Sequence, residues 1–382
     1  MKRVAVLGST GSIGRQALEV AARHPDRLRV AALAAGRDLD ALCAQARTCA
    51  PVALALEQAT DPAAARAALA AAAPRARIEV GPGAATRLVQ AVECDAVLNG
   101  IVGAAGLAPS LAALAAGRRL ALANKETLVI GGPLVLEALQ RGGELLPIDS
   151  EHSAALQCLG GRPAAEVKRL TLTASGGPLR GHPRWRDATR EEVLAHPVWA
   201  MGKRITVDSA LLFNKGLELM EAHWLFGLEW AQLAAVIHPQ ARIHAWVEWR
   251  DGSIVAQAAT PDMRLPIQLA LGWPERWRAD LTVPEAPFAA LDFEPIPSGR
   301  YPAFDLAITA GRAAGSAPCV ANAADEVAVA AFLEGAITLG QVPEIVARVL
   351  DAHAVEPVRA LERLLEIDAW ARAEAHGQVV RA

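Results

Sequence analysis

Short apolar runs alternate with alanine-rich stretches through the first half of the chain. Segments between the runs, such as Ala104–Ala116 and Thr127–Gln140, are rich in good helix formers. This alternation predicts an α/β fold, with a Rossmann-like doubly wound parallel sheet over residues 1–150. The predicted strands are Arg3–Leu7, Leu28–Ala34, Val52–Leu56, Ile78–Val80, Ala96–Asn99, Arg119–Ala123 and Glu144–Ile148.

The pattern changes in the middle of the chain. Aromatic residues are absent before Trp185, and we place a domain boundary between Asp149 and Ser175. The dipeptide Asp251-Gly252 is typical of a hairpin turn between two strands. We therefore expect an α+β catalytic domain over residues 151–280. Its predicted elements are the strands Val167–Ser175, Arg242–Trp249 and Ser253–Ala259 and the helix Asp208–Phe226.

The last hundred residues begin with prolines and end in helical patterns. Five prolines within residues 281–302 indicate an extended connector. The apolar spacing beyond it predicts a C-terminal helical bundle over residues 303–382. The four helical stretches are Ala303–Ala314, Ala321–Glu334, Leu339–His353 and Pro357–Ala375.

Composition narrows the class of protein. The chain has 382 residues and a net charge of only −3, which argues against a nucleic-acid-binding or membrane-coating protein. Its five cysteines are dispersed without a C-x-x-C motif, as in reduced cytosolic proteins. Neither a signal peptide nor a membrane span is recognisable in the apolar runs. We therefore expect a cytoplasmic, multi-domain protein.

The loop after the first strand, "GSTGSIG" (8–14), resembles a nucleotide-binding turn with unusual spacing. Its glycines follow G-x-x-G-x-x-G rather than G-x-G-x-x-G. Gly8 would allow a sharp turn and Gly14 close helix–strand packing, while Thr10 and Ser12 offer hydroxyl donors. A strand, turn and helix in this order expose backbone N–H groups that bind phosphate. A tight turn without a ligand is the alternative.

The end of the second strand bears on which nucleotide binds. Arg37 in "GRD" (36–38) suits a ribose 2′-phosphate. The following Asp38 could read a free 2′-hydroxyl, or simply cap the next helix. We favour NADPH over NADH.

Two carboxylates separated by one residue, Asp149 and Glu151, follow the last apolar strand of the first domain. On an extended segment, residues i and i+2 point to the same side, so both could meet one cation. Hard oxygen ligands suit Mg²⁺ or Mn²⁺. A third ligand could come from Glu218 or Glu221, and a solvated loop or a helix cap is the alternative for Asp149 and Glu151. We interpret His223 as structural.

A second polar constellation could hold a phosphate. Ser175 closes a strand and precedes Gly176-Gly177, and Ser209, Asn214 and Lys215 lie within seven residues of one another. Several neutral donors and one cation are what a phosphate group requires. Taken alone, the pattern favours the plainer interpretation, in which Ser209 is a helix cap and Asn214 and Lys215 lie on a solvated surface.

Six segments in order carry a specific resemblance. They are "GSTGSIG" (8–14), "ALANKETLV" (121–129), "PIDSEHSA" (147–154), "ASGGPLR" (174–180), "HPVWAMGKRITVDSALLFNKGLELMEAHWLFG" (196–227) and "ANAADEVAVAAF" (321–332). Together they resemble the 1-deoxy-D-xylulose 5-phosphate reductoisomerases nearly end to end. The chain departs at Leu179, where an aromatic residue is common, and at Gly36-Arg37-Asp38. The second departure leaves the 2′-phosphate contact open.

The resemblance implies a site for each group that takes part in the reaction. It selects Glu218 as the third metal ligand and Lys125 as a catalytic contact beside Asp149, Glu151 and Glu218. The implied cofactor contacts are Gly8, Thr10, Gly11, Ser12, Ile13, Gly36, Arg37, Asn124, Glu126 and Gly202. The implied substrate contacts are Lys125, Ser150, Glu151, Ser175, His196, Trp199, Ser209, Asn214, Lys215 and Glu218. A lid loop near 176–203, with Trp199, is expected to cover the substrate.

The implied activity is an NADPH- and Mn²⁺- or Mg²⁺-dependent rearrangement and reduction. It converts the sugar phosphate 1-deoxy-D-xylulose 5-phosphate to 2-C-methyl-D-erythritol 4-phosphate in non-mevalonate isoprenoid synthesis, and a homodimer is expected. Two alternatives stay open: an NADPH-dependent aldehyde or semialdehyde reductase, and a non-catalytic NADPH-sensing module.

Overall fold

The chain forms two compact units in a computed structural model that describes residues 1–198, 202–279 and 291–381. The first unit comprises Met1–Thr127, Val135–Asp149 and the described residues of Asp262–Asp280. The second comprises Leu128–Leu134 and the described residues of Ser150–Pro261 and Leu281–Ala382. The transition near Asp149 lies within the boundary region expected from the aromatic residues.

The first unit is built on a seven-stranded parallel sheet with the strand order β4-β3-β2-β1-β5-β6-β7. Residues of the inner strands are almost all buried, as expected for a sheet covered on both faces. The predicted doubly wound α/β fold is therefore confirmed. The strands are β1 (Lys2–Leu7), β2 (Leu28–Ala35), β3 (Ala53–Leu56), β4 (Arg77–Val80), β5 (Ala96–Asn99), β6 (Arg119–Leu122) and β7 (Glu144–Pro147).

Helices connect successive strands of this sheet, and three of them begin with a signal that is visible in the sequence. Asp38 and Asp61 cap α2 and α3 through their side chains, and Gly11 lies at the N-terminus of α1. The helices are α1 (Ser12–Arg23), α2 (Leu39–Cys49), α3 (Pro62–Ala72), α4 (Ala84–Ala91), α5 (Leu107–Ala115) and α6 (Glu126–Leu139).

One later helix, α11 (Arg264–Gly272), packs with the first unit, although the sequence placed residues 151–280 in the catalytic domain. The Lys2 ammonium donates to the carbonyl of Leu271 at 3.0 Å. The Arg119 guanidinium donates to the carbonyls of Leu271 and Trp273 at 3.1 and 2.9 Å. These carbonyls lie at a helix C-terminus, where intrahelical donors are lacking, so two cations fix this end of α11.

The second unit contains a mixed five-stranded sheet with the order β11-β10-β8-β9-β12. The pair β8–β9 is parallel, and the other three pairs are antiparallel. Asp251-Gly252 forms the predicted hairpin turn, with Gly252 at φ +90°. The strands are β8 (Val167–Ala174), β9 (Leu233–Ile237), β10 (Ile243–Trp249), β11 (Ile254–Ala258) and β12 (Glu294–Pro295).

The helix predicted over Asp208–Phe226 is wrong, because the structure has two helices there. The first, α9 (Lys203–Ala210), ends before Leu212, which adopts a left-handed φ of 56°. The second, α10 (Phe213–Phe226), starts directly afterwards. The break places Ser209 at the end of one helix and Lys215 in the first turn of the next.

The described part of the second unit contains six further α-helices, and four of them form the expected C-terminal helical part. Three of the four start and end within about four residues of the predicted limits, whereas the last starts four and ends six residues later than predicted. The helices are α7 (Ser150–Leu159), α8 (Arg190–Leu194), α12 (Pro302–Ala313), α13 (Ala317–Glu334), α14 (Gln341–Asp351) and α15 (Leu361–Arg381). None of the helices in the described part of the chain is both long and apolar enough to span a bilayer.

The glycine at position 14 yields a stability prediction. A Cβ atom there would lie 2.3 Å from the Gly8 carbonyl oxygen and 2.4 Å from the Ser9 Cα atom. Gly14→Ala should therefore lower the free energy of unfolding by about 1–3 kcal/mol, the usual cost of overpacking. Gly36→Ala is the control, because no atom lies within 4 Å of its Cβ position. Thermal unfolding of both variants measures the difference, and equal melting temperatures would contradict the close packing.

Candidate active site

Two carboxylates lie where the chain passes from β7 into α7. Asp149 is the last residue before the helix, and Glu151 lies in its first turn. The extended geometry predicted for this pair is therefore wrong. The helix start replaces it, and acidic groups are stabilised there by the positive end of the helix dipole.

A third carboxylate reaches this point from α10. One oxygen each of Asp149, Glu151 and Glu218 lie within 4.8 Å of one another. Glu218 is only 1% exposed, and the other two residues are half-buried. The three predicted metal ligands therefore converge, although Glu218 lies 67 positions after Glu151 in the chain.

Ammonium groups accompany all three carboxylates. Lys215 Nζ donates to Glu151 Oε1 at 3.1 Å and also to Glu218 Oε2, and Lys125 Nζ donates to Asp149. Lys215 is itself 3% exposed. Buried anions are stable only when cations or donors compensate them, and here three anions meet two cations.

Neutral donors complete the surroundings of the glutamates. Asn214 Nδ2 donates to Glu218 Oε1 at 2.6 Å, and the Ser150 hydroxyl donates to Glu151. Asn214, predicted as a phosphate contact, thus touches a predicted metal ligand, as Lys215 does. Both side chains come from the first turn of α10.

A histidine that the sequence reasoning overlooked links the two helices. His152 Nε2 donates to the main-chain oxygen of Glu218 at 2.8 Å, and its Nδ1 lies 3.8 Å from the carboxylate of Glu221. Asp149, His152 and Glu221 form a second group of possible metal ligands. The available signal was the position of His152 directly after Glu151.

The donor set fits a divalent cation. Three carboxylate oxygens gathered within 4.8 Å are hard ligands of the kind that Mg²⁺ and Mn²⁺ bind. In the structure two lysine ammonium groups provide positive charge at the carboxylates.

His223, interpreted as structural, donates to the Leu228 carbonyl, and its ring stacks on Trp230.

The end of β8 presents a serine hydroxyl that two donors orient. His196 Nδ1 accepts from the Val198 N–H at 3.2 Å, so its Nε2 carries the proton of the neutral ring. Burial lowers the pKa of His196, which favours this neutral form. Nε2 lies 3.1 Å from Ser175 Oγ, and the Gly177 N–H donates to the same oxygen at 3.2 Å. The Ser175 O–H is thereby directed towards another acceptor.

The second predicted phosphate-binding serine lies on α9, against the turn that follows β8. Ser209 is in the last turn of α9, so the alternative that it caps a helix N-terminus is wrong. A Cβ atom at Gly177 would lie 2.6 Å from the Ser209 carbonyl oxygen. The Ser175 turn and the end of α9 are therefore in direct contact.

The segment predicted as a lid is bonded to the rest of its unit in the part that the structure describes. The Gly340 N–H donates to the Arg186 carbonyl at 2.9 Å, and Arg190 donates to the Leu333 carbonyl at 3.0 Å. Trp199, the predicted cover of the substrate, lies outside the described residues.

The loop between β1 and α1 has the geometry of an anion-binding turn. Gly8 adopts φ +73°, and the absence of a side chain at Gly14 lets α1 approach the loop backbone. Gly11 is the N-cap of α1 and has no side chain that could accept a hydrogen bond. The backbone N–H groups of the first turn, where Ser12 and Ile13 lie, are therefore not capped by a side chain at this position. Thr10 lies at the tip, where its carbonyl accepts from Arg15. This loop fits a nucleotide pyrophosphate.

The turn after β2 separates the roles of its two charged residues. The Asp38 carboxylate accepts from the Ala41 N–H at 3.0 Å, as the N-cap of α2. Arg37 is exposed and follows Gly36, whose Cβ position is open. The basic residue is thus the one displayed to solvent.

Three other predicted cofactor contacts hold local structure. The Asn124 amide donates to the carbonyls of Ile101 and Gly103, both at 2.9 Å, and to Glu126. Gly202 lies at the N-terminus of α9. Asn124 therefore fixes the loop after β5.

Family models cover most of this chain. The model for 1-deoxy-D-xylulose 5-phosphate reductoisomerase matches residues 4–132, and two models for C-terminal domains of that enzyme match residues 145–226 and 258–374. A protein of that name from Rhodococcus jostii is 48% identical, over 98% of this chain and 93% of its own. Another from Desulforamulus reducens is 44% identical, over 98% of both chains. The chain belongs to the 1-deoxy-D-xylulose 5-phosphate reductoisomerase family.

Solved structures of the family share the whole fold. The Zymomonas mobilis enzyme in complex with NADPH is 37% identical and superposes with a TM-score of 0.91 over 99% of both chains. A second reductoisomerase, in complex with NADPH, fosmidomycin and magnesium, is 36% identical with a TM-score of 0.92, over 99% of this chain and 98% of that one.

The two overlapping groups of possible metal ligands can be separated by matched variants. Glu218→Gln removes a carboxylate of the first group only, and Glu221→Gln one of the second only. We expect Glu218→Gln to weaken Mn²⁺ binding and to lower kcat by roughly 10²–10³-fold, because charge stabilisation in the transition state is lost. Glu221→Gln should retain measurable Mn²⁺ binding. Both variants are assayed across a Mn²⁺ titration. If Glu221→Gln were inactive and Glu218→Gln normal, the metal would instead be assigned to the group of Asp149, His152 and Glu221.

Proposed function

We propose that this chain converts 1-deoxy-D-xylulose 5-phosphate to 2-C-methyl-D-erythritol 4-phosphate with NADPH and a divalent metal ion. The observation that carries the proposal is the convergence of Asp149, Glu151 and Glu218, in a chain of this family. The chain is accordingly an NADP-dependent oxidoreductase, with the isomerisation and the reduction occurring in one protein.

The metal ion would be held by the carboxylates of Asp149, Glu151 and Glu218. A bound Mg²⁺ or Mn²⁺ supplies a Lewis acid that polarises carbonyl and hydroxyl oxygens. Lys125, which donates to Asp149, keeps that carboxylate in place and is proposed to contact the reacting hydroxyl groups and the cofactor. Ser150 orients Glu151 and is proposed to contact the substrate.

The substrate phosphate would be bound by Ser175, Ser209, Asn214 and Lys215, with His196 beside Ser175. The orientation of the Ser175 hydroxyl by His196 and Gly177 supports this assignment. In the structure Asn214 donates to Glu218 and Lys215 donates to Glu151, so both residues lie next to the proposed metal ligands. We propose that they contact the phosphate group while the metal holds the other end of the same substrate. Trp199 is proposed to cover the bound sugar phosphate.

NADPH would bind through the loop of Gly8, Thr10, Gly11, Ser12 and Ile13, where backbone N–H groups face the pyrophosphate. NADPH supplies the hydride that reduces the carbonyl group. Gly36 and Arg37 are proposed to receive the 2′-phosphate, because Asp38 is engaged as a helix cap. Asn124, Glu126 and Gly202 are proposed to complete the nucleotide site.

Neither alternative accounts for the carboxylate cluster. An aldehyde or semialdehyde reductase needs hydride transfer but no group of three buried or half-buried carboxylates. A sensing module would need the nucleotide loop alone. The family and the cluster both favour the reductoisomerase.

The setting of the enzyme follows from the same proposal. We propose that it works in the cytoplasm in non-mevalonate isoprenoid synthesis, with Mn²⁺ as one effective metal, and as a homodimer. The edge strand β11 supports the dimer, because Ile254 and Val255 are 63% and 43% exposed there. Exposed apolar edge strands are suited to pairing with a second copy.

The direct test of the activity is NADPH oxidation with 1-deoxy-D-xylulose 5-phosphate. We expect turnover with Mn²⁺ or Mg²⁺, complete loss with EDTA, and recovery when metal is restored. Recovery of 2-C-methyl-D-erythritol 4-phosphate identifies the reaction. Turnover of simple aldehydes that persists in EDTA would favour the reductase, and NADPH binding without turnover would favour the sensing module.

Cofactor choice gives a separate prediction at Arg37. Removal of a charge-assisted contact to the 2′-phosphate costs about 1.5–3 kcal/mol, so Arg37→Ala should raise the KM for NADPH by roughly one to two orders of magnitude. The KM for NADH should change little. Arg47→Ala, an exposed arginine in the last turn of α2, is the control. Equal effects of Arg37→Ala on both cofactors would show that another residue reads the 2′-phosphate.

A further inference from the structure

A pair of buried carboxyl groups lies outside the metal and nucleotide sites. Asp208 on α9 is 2% exposed, and Asp325 on α13 is fully buried. Both belong to the second unit, and the activity described above uses neither. A buried carboxyl group is costly unless it is neutral or compensated.

Among the residues that the structure describes, no donor lies within hydrogen-bonding distance of the Asp325 carboxyl group. Neither of its two buried oxygens accepts a hydrogen bond, and the guanidinium of Arg204 lies 3.8 Å away. Asp208 approaches the same guanidinium, with Arg204 Nε 3.5 Å from its carboxylate, and the charges of Asp208 and Glu326 both act on Asp325. Two carboxyl groups can share a hydrogen bond only when one carries a proton. Burial and the charge of Asp208 hold the pKa of Asp325 well above its usual range.

Arg204 ties the same two helices together around this pair. Its guanidinium donates to Glu326 Oε1 and Asn322 Oδ1, both at 2.9 Å, and its Nε lies 3.5 Å from Asp208. The other charged groups of the cluster come from α15. Arg372 there donates to Glu326 and Asp368, both at 2.7 Å. The position of α9 against α13 therefore depends on a compact polar network.

The end of α9 fixes part of the proposed phosphate site. Ser209 directly follows Asp208, and the backbone of Ser209 and Ala210 packs on Gly177. Gly177 in turn donates its N–H to Ser175. A small displacement of α9 would move Ser209 and the Ser175 turn together.

We propose that Asp325 is a positioning residue for the substrate-phosphate site, in which a proton shared with Asp208 holds α9 against α13. This inference rests on the proposed function, because it assigns Ser175 and Ser209 to the phosphate. Loss of the shared proton would place two charged carboxylates side by side and loosen the end of α9.

The pH dependence follows from the sign of the shift. The pKa of Asp325 is raised by folding, so its contribution to stability is full below its unfolded pKa of about 3.9 and is lost as the pH rises through the folded value. Substrate binding should weaken as the pH rises through that folded value. Asp325→Asn retains the shape and the neutral state, and should be insensitive to this loss.

The experiment measures the KM for 1-deoxy-D-xylulose 5-phosphate at saturating NADPH and Mn²⁺ across the pH range in which the wild type and Asp325→Asn both stay folded, and it compares the two proteins at each pH, so that the ionisation of the substrate phosphate cancels. We expect the wild-type KM to rise about tenfold at the alkaline end, as for a contact worth roughly 1.4 kcal/mol. Asp325→Asn and Asp208→Asn should flatten this rise, with kcat and NADPH binding unchanged. The gain in melting temperature of Asp325→Asn over the wild type should widen as the pH rises.

Two further variants make the result decisive. Asp368→Asn removes a carboxylate of the same network that does not touch α9, and should keep the wild-type pH profile. Ser209→Ala tests the phosphate site itself, and an unchanged KM there would refute the proposed function at this position. A raised KM in Ser209→Ala together with a wild-type profile in Asp325→Asn would overturn the role of Asp325 alone. A pH-independent wild-type KM would overturn it equally.

Discussion

Compensation of three converging carboxylates is the interaction on which the catalytic part of this protein depends. Asp149, Glu151 and Glu218 repel one another, and they stay within 4.8 Å because Lys125 and Lys215 supply positive charge. Such a gathering of charge is costly in a half-buried place unless cations remain near. The arrangement therefore favours binding of a divalent cation. Without the metal, the rest of the fold must hold the three carboxylates together against their mutual repulsion.

The carboxylates are held in place by nearby backbone structure and by one hydrogen bond between helices. Asp149 and Glu151 lie at a helix start whose dipole favours anions, and His152, in the first turn of the same helix, donates to the Glu218 backbone. The break at Leu212 starts α10 just before Lys215, so the lysine and Glu218 lie one turn apart on the same helix. Position and charge at the site are thus set by local backbone geometry and by one buried histidine.

Much of this architecture could be predicted from the sequence, because it has a local signature. The period of apolar runs predicts the parallel sheet, and the glycines at 8 and 14 predict the tight turn that the structure contains. Asp38 shows the limit of such reasoning. The sequence allowed it either to contact a ribose 2′-hydroxyl or to cap a helix, and only its hydrogen bond from the Ala41 N–H identifies it as a cap.

What the sequence could not predict depends on contacts between distant segments. Lys215 was expected to contact the substrate phosphate, but in the structure it pairs with Glu151 and Glu218. The spacing of residues along the chain does not indicate which partner it takes. The left-handed Leu212 interrupts a stretch with full helical periodicity. Asp208 and Asp325 lie more than a hundred residues apart, so only the packing of α9 on α13 makes them a pair.

The central claim is that Asp149, Glu151 and Glu218 converge to bind a divalent cation, in competition with the Lys215 ammonium that donates to both glutamates. Mn²⁺ binding to wild type and to Lys215→Met, followed by electron paramagnetic resonance of free Mn²⁺ without substrate, tests it most directly. Removal of the competing ammonium should tighten Mn²⁺ binding about tenfold, which corresponds to roughly 1.4 kcal/mol. Unchanged or weaker Mn²⁺ binding in a folded Lys215→Met variant would contradict the account.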